Sequence, residues 1–292
     1  MRKLLGLTII TALLAISCAV INPSSSQSSA GSQSAAMAEL HKDDVPVASP
    51  AATDVDPDLV TTEDVTYGIL DGEPFEGYLA KPSDATSPLP GLIVIQEWWG
   101  LNDNIRTMTR RLAAEGYTAL AVDLYDGQVA ETRDEAKTLV QAAIQNSDRL
   151  TKNVVAAYNY LTNEQQVPTV GSIGWCFGGS WSLNTALALP TELDAAVIYY
   201  GGQISTDPAI LAPLQMPIQG HFGSLDTSPS PDTVQAFETA LNDLGKDTEI
   251  YIYEGANHAF ANPSGTRYNA EAADLSWQRT VAFLKQHLQG NS

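Results

Sequence analysis

From residue 91 onward, short β-branched apolar runs alternate with longer stretches whose apolar residues recur every three or four positions. "GLIVIQEWWG" (91–100), "YTALAVDLY" (117–125), "VGSIGW" (170–175), "LDAAVIYYG" (193–201), "MPIQGHFG" (216–223) and "TEIYIYEG" (248–255) read as strands. Most are too uniformly apolar for a sheet with one wet face, so they predict strands covered on both sides. Between them, "DNIRTMTRRLAAEG" predicts a helix with Asp103 as N-cap and Gly116 as its stop. Further helices are expected within 132–145 and 148–162, then at 178–189, 230–245 and 270–288. Upstream, "VTYGIL" and "FEGYLAKP" flank the turn-rich "DGEP" and predict a hairpin. Strands alternating with helices define an α/β class, with a mostly parallel central sheet flanked by helices on both faces.

The first sixty residues break this pattern. Arg2 and Lys3 precede "LLGLTIITALLAI", an apolar stretch too short to span a bilayer comfortably, which reads as a signal peptide over residues 1–17. "LAISC" resembles a bacterial lipobox, so Cys18 is the expected lipidation site; an ordinary secretory signal cut within 24–36 is the alternative. Residues 18–62, rich in Ser, Ala, Pro and Asp and without apolar periodicity, are expected to form a flexible low-complexity tether. The folded domain is expected over 63–290. The protein is then exported and lipid-anchored on the periplasmic or extracellular face of a bacterial envelope, touching membrane through that anchor alone.

Composition narrows the partners. The chain has 292 residues, 44% hydrophobic, with a formal charge of −19. Such an acidic surface repels phosphate backbones, which argues against nucleic-acid binding. A small molecule is the expected partner, and a monomer the expected state. Of two cysteines, Cys18 lies in the leader and leaves Cys176 without an evident disulfide partner. No C-x-x-C occurs, and His41, His221, His258 and His287 show no metal-ligand spacing in sequence, so neither a redox dithiol, a metal nor an organic cofactor is expected.

Gly174–Trp175–Cys176–Phe177–Gly178 has the form G-x-C-x-G at a predicted strand-to-helix junction. A sharp turn there holds the central side chain at a helix N-terminus, where unpaired N–H groups favour thiolate over thiol. The backbone N–H of Phe177 is then placed to stabilise an oxyanion. Asp226 follows one predicted strand and His258 the next, in the order nucleophile, acid, histidine. Taken singly, Cys176 also suits a small buried side chain, Asp226 a turn carboxylate and His258 a solvated loop; their register is what favours catalysis. Glu97 directly follows "LIVIQ", a strand too apolar to end in a carboxylate unless that end faces a cleft. A strand-end Glu open to water is the other reading.

These segments resemble the dienelactone hydrolases (carboxymethylenebutenolidase-like proteins) of the α/β-hydrolase superfamily. The resemblance runs from about Val65 to Leu288. It rests on "GEPFEGYLAKP", "IVIQEWWGLNDNIRTMTRRLAAEGYTALAVDLY", "IGWCFGG", "HFGSLD" and "YEGANHAF…SWQRTVAFL". It implies an α/β-hydrolase fold, a Cys176–His258–Asp226 triad, Glu97 controlling the thiol's protonation, and an oxyanion hole from the backbone N–H groups of Trp98 and Phe177. It also implies Tyr125 in the pocket and arginines that clamp a carboxylate. Asn262 stands where one such arginine is expected, leaving Arg267 and Arg133 as the substrate-binding candidates. The expected activity is hydrolysis of a small ester or lactone through an acyl-enzyme. The alternatives are a general carboxylesterase or thioesterase and a noncatalytic surface-anchored binding lipoprotein.

Overall fold

A computed structural model describes residues 31, 34–35, 37–44 and 55–290. The predicted leader, and Cys18 with it, lies outside the described residues. Among those described, no helix is long and apolar enough to cross a membrane.

Eight strands form one sheet in the order β1-β2-β4-β3-β5-β6-β7-β8. They are β1 (Val60–Leu70), β2 (Glu73–Pro82), β3 (Gly91–Ile95), β4 (Thr118–Val122), β5 (Val170–Trp175), β6 (Ala195–Tyr199), β7 (Ile218–Gly223) and β8 (Thr248–Tyr253). The expected hairpin is β1–β2. Asp71 and Gly72 turn it with positive φ values of 54° and 89°, the conformation a tight Asp-Gly hairpin demands. β2 pairs antiparallel with β4, and every later pairing is parallel. β3, β4, β5, β6 and β7 are buried at every position, so both faces of the central sheet are covered.

The covering helices are α1 (Asp103–Ala114), α2 (Arg133–Gln145), α3 (Ser147–Asn163), α4 (Phe177–Ala188), the short α5 (Pro208–Leu211), α6 (Pro231–Asp243) and α7 (Ala270–Leu288). α5 has no counterpart in the sequence reading, because one turn of helix carries no periodicity. Asp103 is the first helical residue of α1 rather than its cap. Asn102 caps instead, accepting from the Ile105 N–H, and Asp103 favours the positive end of the helix dipole. Gly116 does end α1, with φ +96°. Thr132 and Glu135 close a capping box at the start of α2.

The stretch expected as a tether differs from expectation in part. Residues 37–40 are helical, 41–43 form a turn, and Met37, His41 and Asp44 are buried. Met37 joins the hydrophobic core, and Asp44 is held by Arg267 and Thr266. One apolar side chain and one ion pair give this segment the anchorage that its composition does not announce.

Candidate active site

The carboxyl ends of β3, β5, β7 and β8 bring the site together. β5 runs into α4 through Cys176, whose φ of 57° and ψ of −114° lie in a region that L residues rarely adopt. Small neighbours make that turn feasible. A Cβ at Gly174 would collide with the Gly178 carbonyl, and one at Gly178 would collide with the backbone carbonyls of Ile95 and Gln96. The glycines around Cys176 therefore allow strand, helix and the end of β3 to meet without side chains between them.

Asp226 follows β7 and His258 follows β8. His258 Nδ1 lies 2.9 Å from Asp226 Oδ2, and Asp226 also accepts the Ser228 N–H at 2.8 Å. With Nδ1 bound to the carboxylate, the ring's Nε2 is left to work elsewhere. That nitrogen is buried and has no hydrogen-bond partner among the described residues. Cys176 Sγ and His258 Nε2 lie within 4.8 Å of each other.

Cys176 is 0% exposed and His258 1%. The backbone N–H groups of Phe177 and Trp98 both act on the sulfur and form an N–H cradle beside it. Burial and the nearby Glu97 push the thiol well above its ordinary range, while those two N–H groups pull the other way. At rest it is a thiol.

Glu97, 2% exposed, follows β3 and is turned inward rather than toward water. Asn262 Nδ2 donates to its Oε2 at 2.6 Å and Asn104 Nδ2 at 3.4 Å, while Oε1 has no partner. Burial, reinforced by the negative charge of Asp44, pushes the Glu97 carboxyl up to about 8. Asn262, at the position of an expected arginine, thus binds the buried acid Glu97. Tyr125 is buried with its ring centroid 5.7 Å from that of Phe177.

Two site residues were missed by the sequence reading. His41 Nε2 lies 3.3 Å from Cys176 Sγ, and its Nδ1 lies 2.6 Å from Asp44 Oδ2. The imidazole stacks on Trp98 at 4.6 Å and meets the edge of His258 at 5.1 Å. Burial lowers His41 to about 4, so at neutral pH it is an uncharged acceptor for the thiol proton. Burial alone would raise Asp44, but hydrogen bonding to His41 and the charge of Arg267 outweigh it and hold the carboxyl below its usual range. The signal available in sequence was a His and an Asp three residues apart in a polar spacer, which by itself points nowhere.

Arg267 donates to Asp44 Oδ2 at 2.6 Å, so this substrate-clamp candidate is engaged by the chain itself. Arg133 stands exposed at the first turn of α2, outside the group around Cys176. The histidines that showed no metal-ligand spacing in sequence behave differently in space. Cys176, His41 and His258 each offer a ligand atom within 4.8 Å of the others. His221 remains apart, bonded to Gln219, Tyr253 and Thr280.

Comparison with known proteins gives the family. Residues 75–288 match the model of the dienelactone hydrolase family. A Saccharolobus solfataricus protein named "Putative carboxymethylenebutenolidase" is 32% identical over 256 residues, spanning 74% of this chain and 95% of its own. A protein of the same name from Escherichia coli (strain K12) is 32% identical over 257 residues, spanning 83% and 94%. Among solved structures, the "Putative Dienelactone Hydrolase" of Klebsiella pneumoniae superposes with a TM-score of 0.64 at 31% identity, covering 78% of this chain and 99% of that one. A dienelactone hydrolase-like promiscuous phosphotriesterase from metagenomic libraries shares the fold, with a TM-score of 0.71 at 24% identity over 78% of this chain and 99% of its own. With its α/β-hydrolase sheet and a cysteine at the β5–α4 turn, the chain belongs to the dienelactone hydrolase family of carboxylic ester hydrolases.

Proposed function

We propose that this protein hydrolyses a small ester or lactone by acyl transfer through Cys176, His258 and Asp226. One observation carries the reading: a histidine oriented by a buried carboxylate, its other nitrogen unpaired, stands within 4.8 Å of a sulfur held in a turn of positive φ.

Substrate reaches the sulfur when the segment bearing His41 lifts and Sγ turns out of the N–H cradle. The thiol proton passes to His258 Nε2, whose imidazolium Asp226 stabilises. Thiolate attacks the carbonyl carbon, and the displaced π pair becomes an oxyanion between the N–H groups of Trp98 and Phe177. Collapse breaks the bond to the alcohol oxygen, which takes the proton from His258. Water then gives a proton to His258 and attacks the thioester. The second collapse releases the acid and returns the proton to the system as thiol. Glu97, held near neutrality by burial, sets how easily the sulfur ionises beforehand.

Uncharged substrates suit the site better than a carboxylate-bearing dienelactone. Asn262 carries no charge and is bound to Glu97, and the Arg267 guanidinium is bound to Asp44, so neither position offers an uncommitted cation. A general esterase or thioesterase of the same fold is the neighbouring possibility, and relative kcat/KM on p-nitrophenyl esters, thioesters and lactones distinguishes them. Cys176→Ala is expected to abolish turnover and Cys176→Ser to retain little. Full activity in Cys176→Ala overturns the reading. We also propose export with lipidation at Cys18, tested by labelling with a fatty-acid analogue that Cys18→Ala should abolish.

A further inference from the structure

We propose that Cys176 Sγ, His41 Nε2 and His258 Nε2 form a site for a thiophilic divalent cation of the zinc class. The site exists only while the 37–44 segment is docked, and its occupancy holds the hydrolase closed.

The donor set is the one such ions prefer, a thiolate and two imidazoles. An ion at ordinary Zn–S and Zn–N lengths needs ligand atoms roughly 3.5 Å apart. His41 Nε2 already lies 3.3 Å from Sγ, and all three atoms lie within 4.8 Å, so closure asks for at most roughly 1.3 Å of movement between any pair.

The surroundings carry the argument further. Both histidines have Nδ1 held by a carboxylate, His41 by Asp44 at 2.6 Å and His258 by Asp226 at 2.9 Å. This arrangement aims both Nε2 atoms inward, and it is the support that metal-binding histidines almost always have. Independently, His258 Nε2 is buried with no partner, and an orphaned buried lone pair calls for a missing group. A cation between the three atoms satisfies it. Binding releases one proton as the thiol becomes a coordinated thiolate, with no change of oxidation state. Three protein ligands leave a fourth position for water.

The consequence for activity rests on the acyl-transfer reading above; the site itself does not. Coordination uses the sulfur pair needed for attack and the His258 pair needed for proton transfer. It also tethers the segment that covers the nucleophile. A bound ion therefore inhibits, and a chelator reverses the inhibition.

Metal-free full-length protein should be titrated with Co2+ and followed by absorption, with hydrolysis of p-nitrophenyl acetate measured in parallel with and without Zn2+. The expected result is one equivalent bound with a thiolate-to-cobalt charge-transfer band. That band disappears in Cys176→Ser, and Zn2+ displaces the cobalt. Asp44→Ala should weaken binding about tenfold or more, and His41→Ala further, with both variants checked for native circular dichroism. A folded protein without the band, or His41→Ala binding as tightly as the native chain, overturns the site. Cation binding that leaves turnover untouched overturns the inhibitory role. Metal-free protein that binds cobalt as described but never hydrolyses ester refutes the acyl-transfer reading instead, and the site stands.

Discussion

The imidazole Nε2 of His41 lies 3.3 Å from the sulfur of Cys176, although 135 residues separate them along the chain. The sulfur at the β5–α4 turn is thus covered by a side chain that precedes the domain's first strand. Cys176 sits on a rigid strand-to-helix turn. His41 sits on a short segment held by Met37 in the core and by Asp44 against Arg267.

Removing the cover should expose the sulfur. His41→Ala is expected to speed alkylation of Cys176 by iodoacetamide several-fold, because the imidazole lies directly on Sγ and over Trp98. Arg267→Ala should act in the same direction by freeing Asp44. Mass-spectrometric labelling rates at fixed pH provide the check, and equal rates in all three proteins would refute the covering role.

Asp226 should matter to turnover far more than to affinity. Asp226→Asn keeps the shape but loses the charge that stabilises imidazolium and fixes the His258 tautomer. A fall in kcat on the order of 10^2- to 10^4-fold, with KM nearly constant, is expected from steady-state kinetics. A kcat within threefold of native would remove His258–Asp226 from the proton path.

The buried Glu97 makes stability depend on pH in a stated direction. Its carboxyl is pushed from 4.5 up to about 8 in the folded protein. The folded state therefore keeps a proton that the unfolded chain gives up. The associated stability is fully present below about 4.5 and is lost as the pH rises toward 8. Glu97→Gln cannot titrate, so the difference between variant and native urea midpoints should change across that window and level off above it. The lowered His41 acts oppositely, between about 4 and 6.5, and is common to both proteins, so the comparison isolates Glu97. Parallel curves throughout would contradict the assignment.

Gly178 is a test of the elbow itself. A methyl group there meets the backbone carbonyls of Ile95 and Gln96, and backbone cannot swing aside as a side chain would. Gly178→Ala is expected to cost about 3 kcal/mol or more, read as a lowered denaturation midpoint, with loss of turnover as β3 and α4 are forced apart. A midpoint equal to that of the native protein would mean the turn is looser than described.

Much of the scaffold was legible in the sequence. Apolar runs of strand length predicted β3 through β8, the Asp-Gly pair predicted the β1–β2 turn, and G-x-C-x-G predicted the bend at Cys176. Each of these depends on residues adjacent in the chain, and local sterics and periodicity act at that range. Asp226 and His258 were legible for a related reason. They follow strands of one parallel sheet, and the carboxyl ends of such strands gather at one edge.

What only the tertiary structure decided are the contacts between segments that share no local pattern. Asn262 reaches Glu97 across 165 residues, and His41 and Asp44 reach Cys176 and Arg267 from a stretch whose composition reads as spacer. A polar residue's partner is chosen by which groups lie buried around it once the chain has packed, because an unpaired buried charge or lone pair is costly. That choice has no period and no fixed spacing. The amino-acid order therefore determined the sheet, the elbow and the order of the catalytic candidates, while packing determined what lies over the sulfur and which histidines face it.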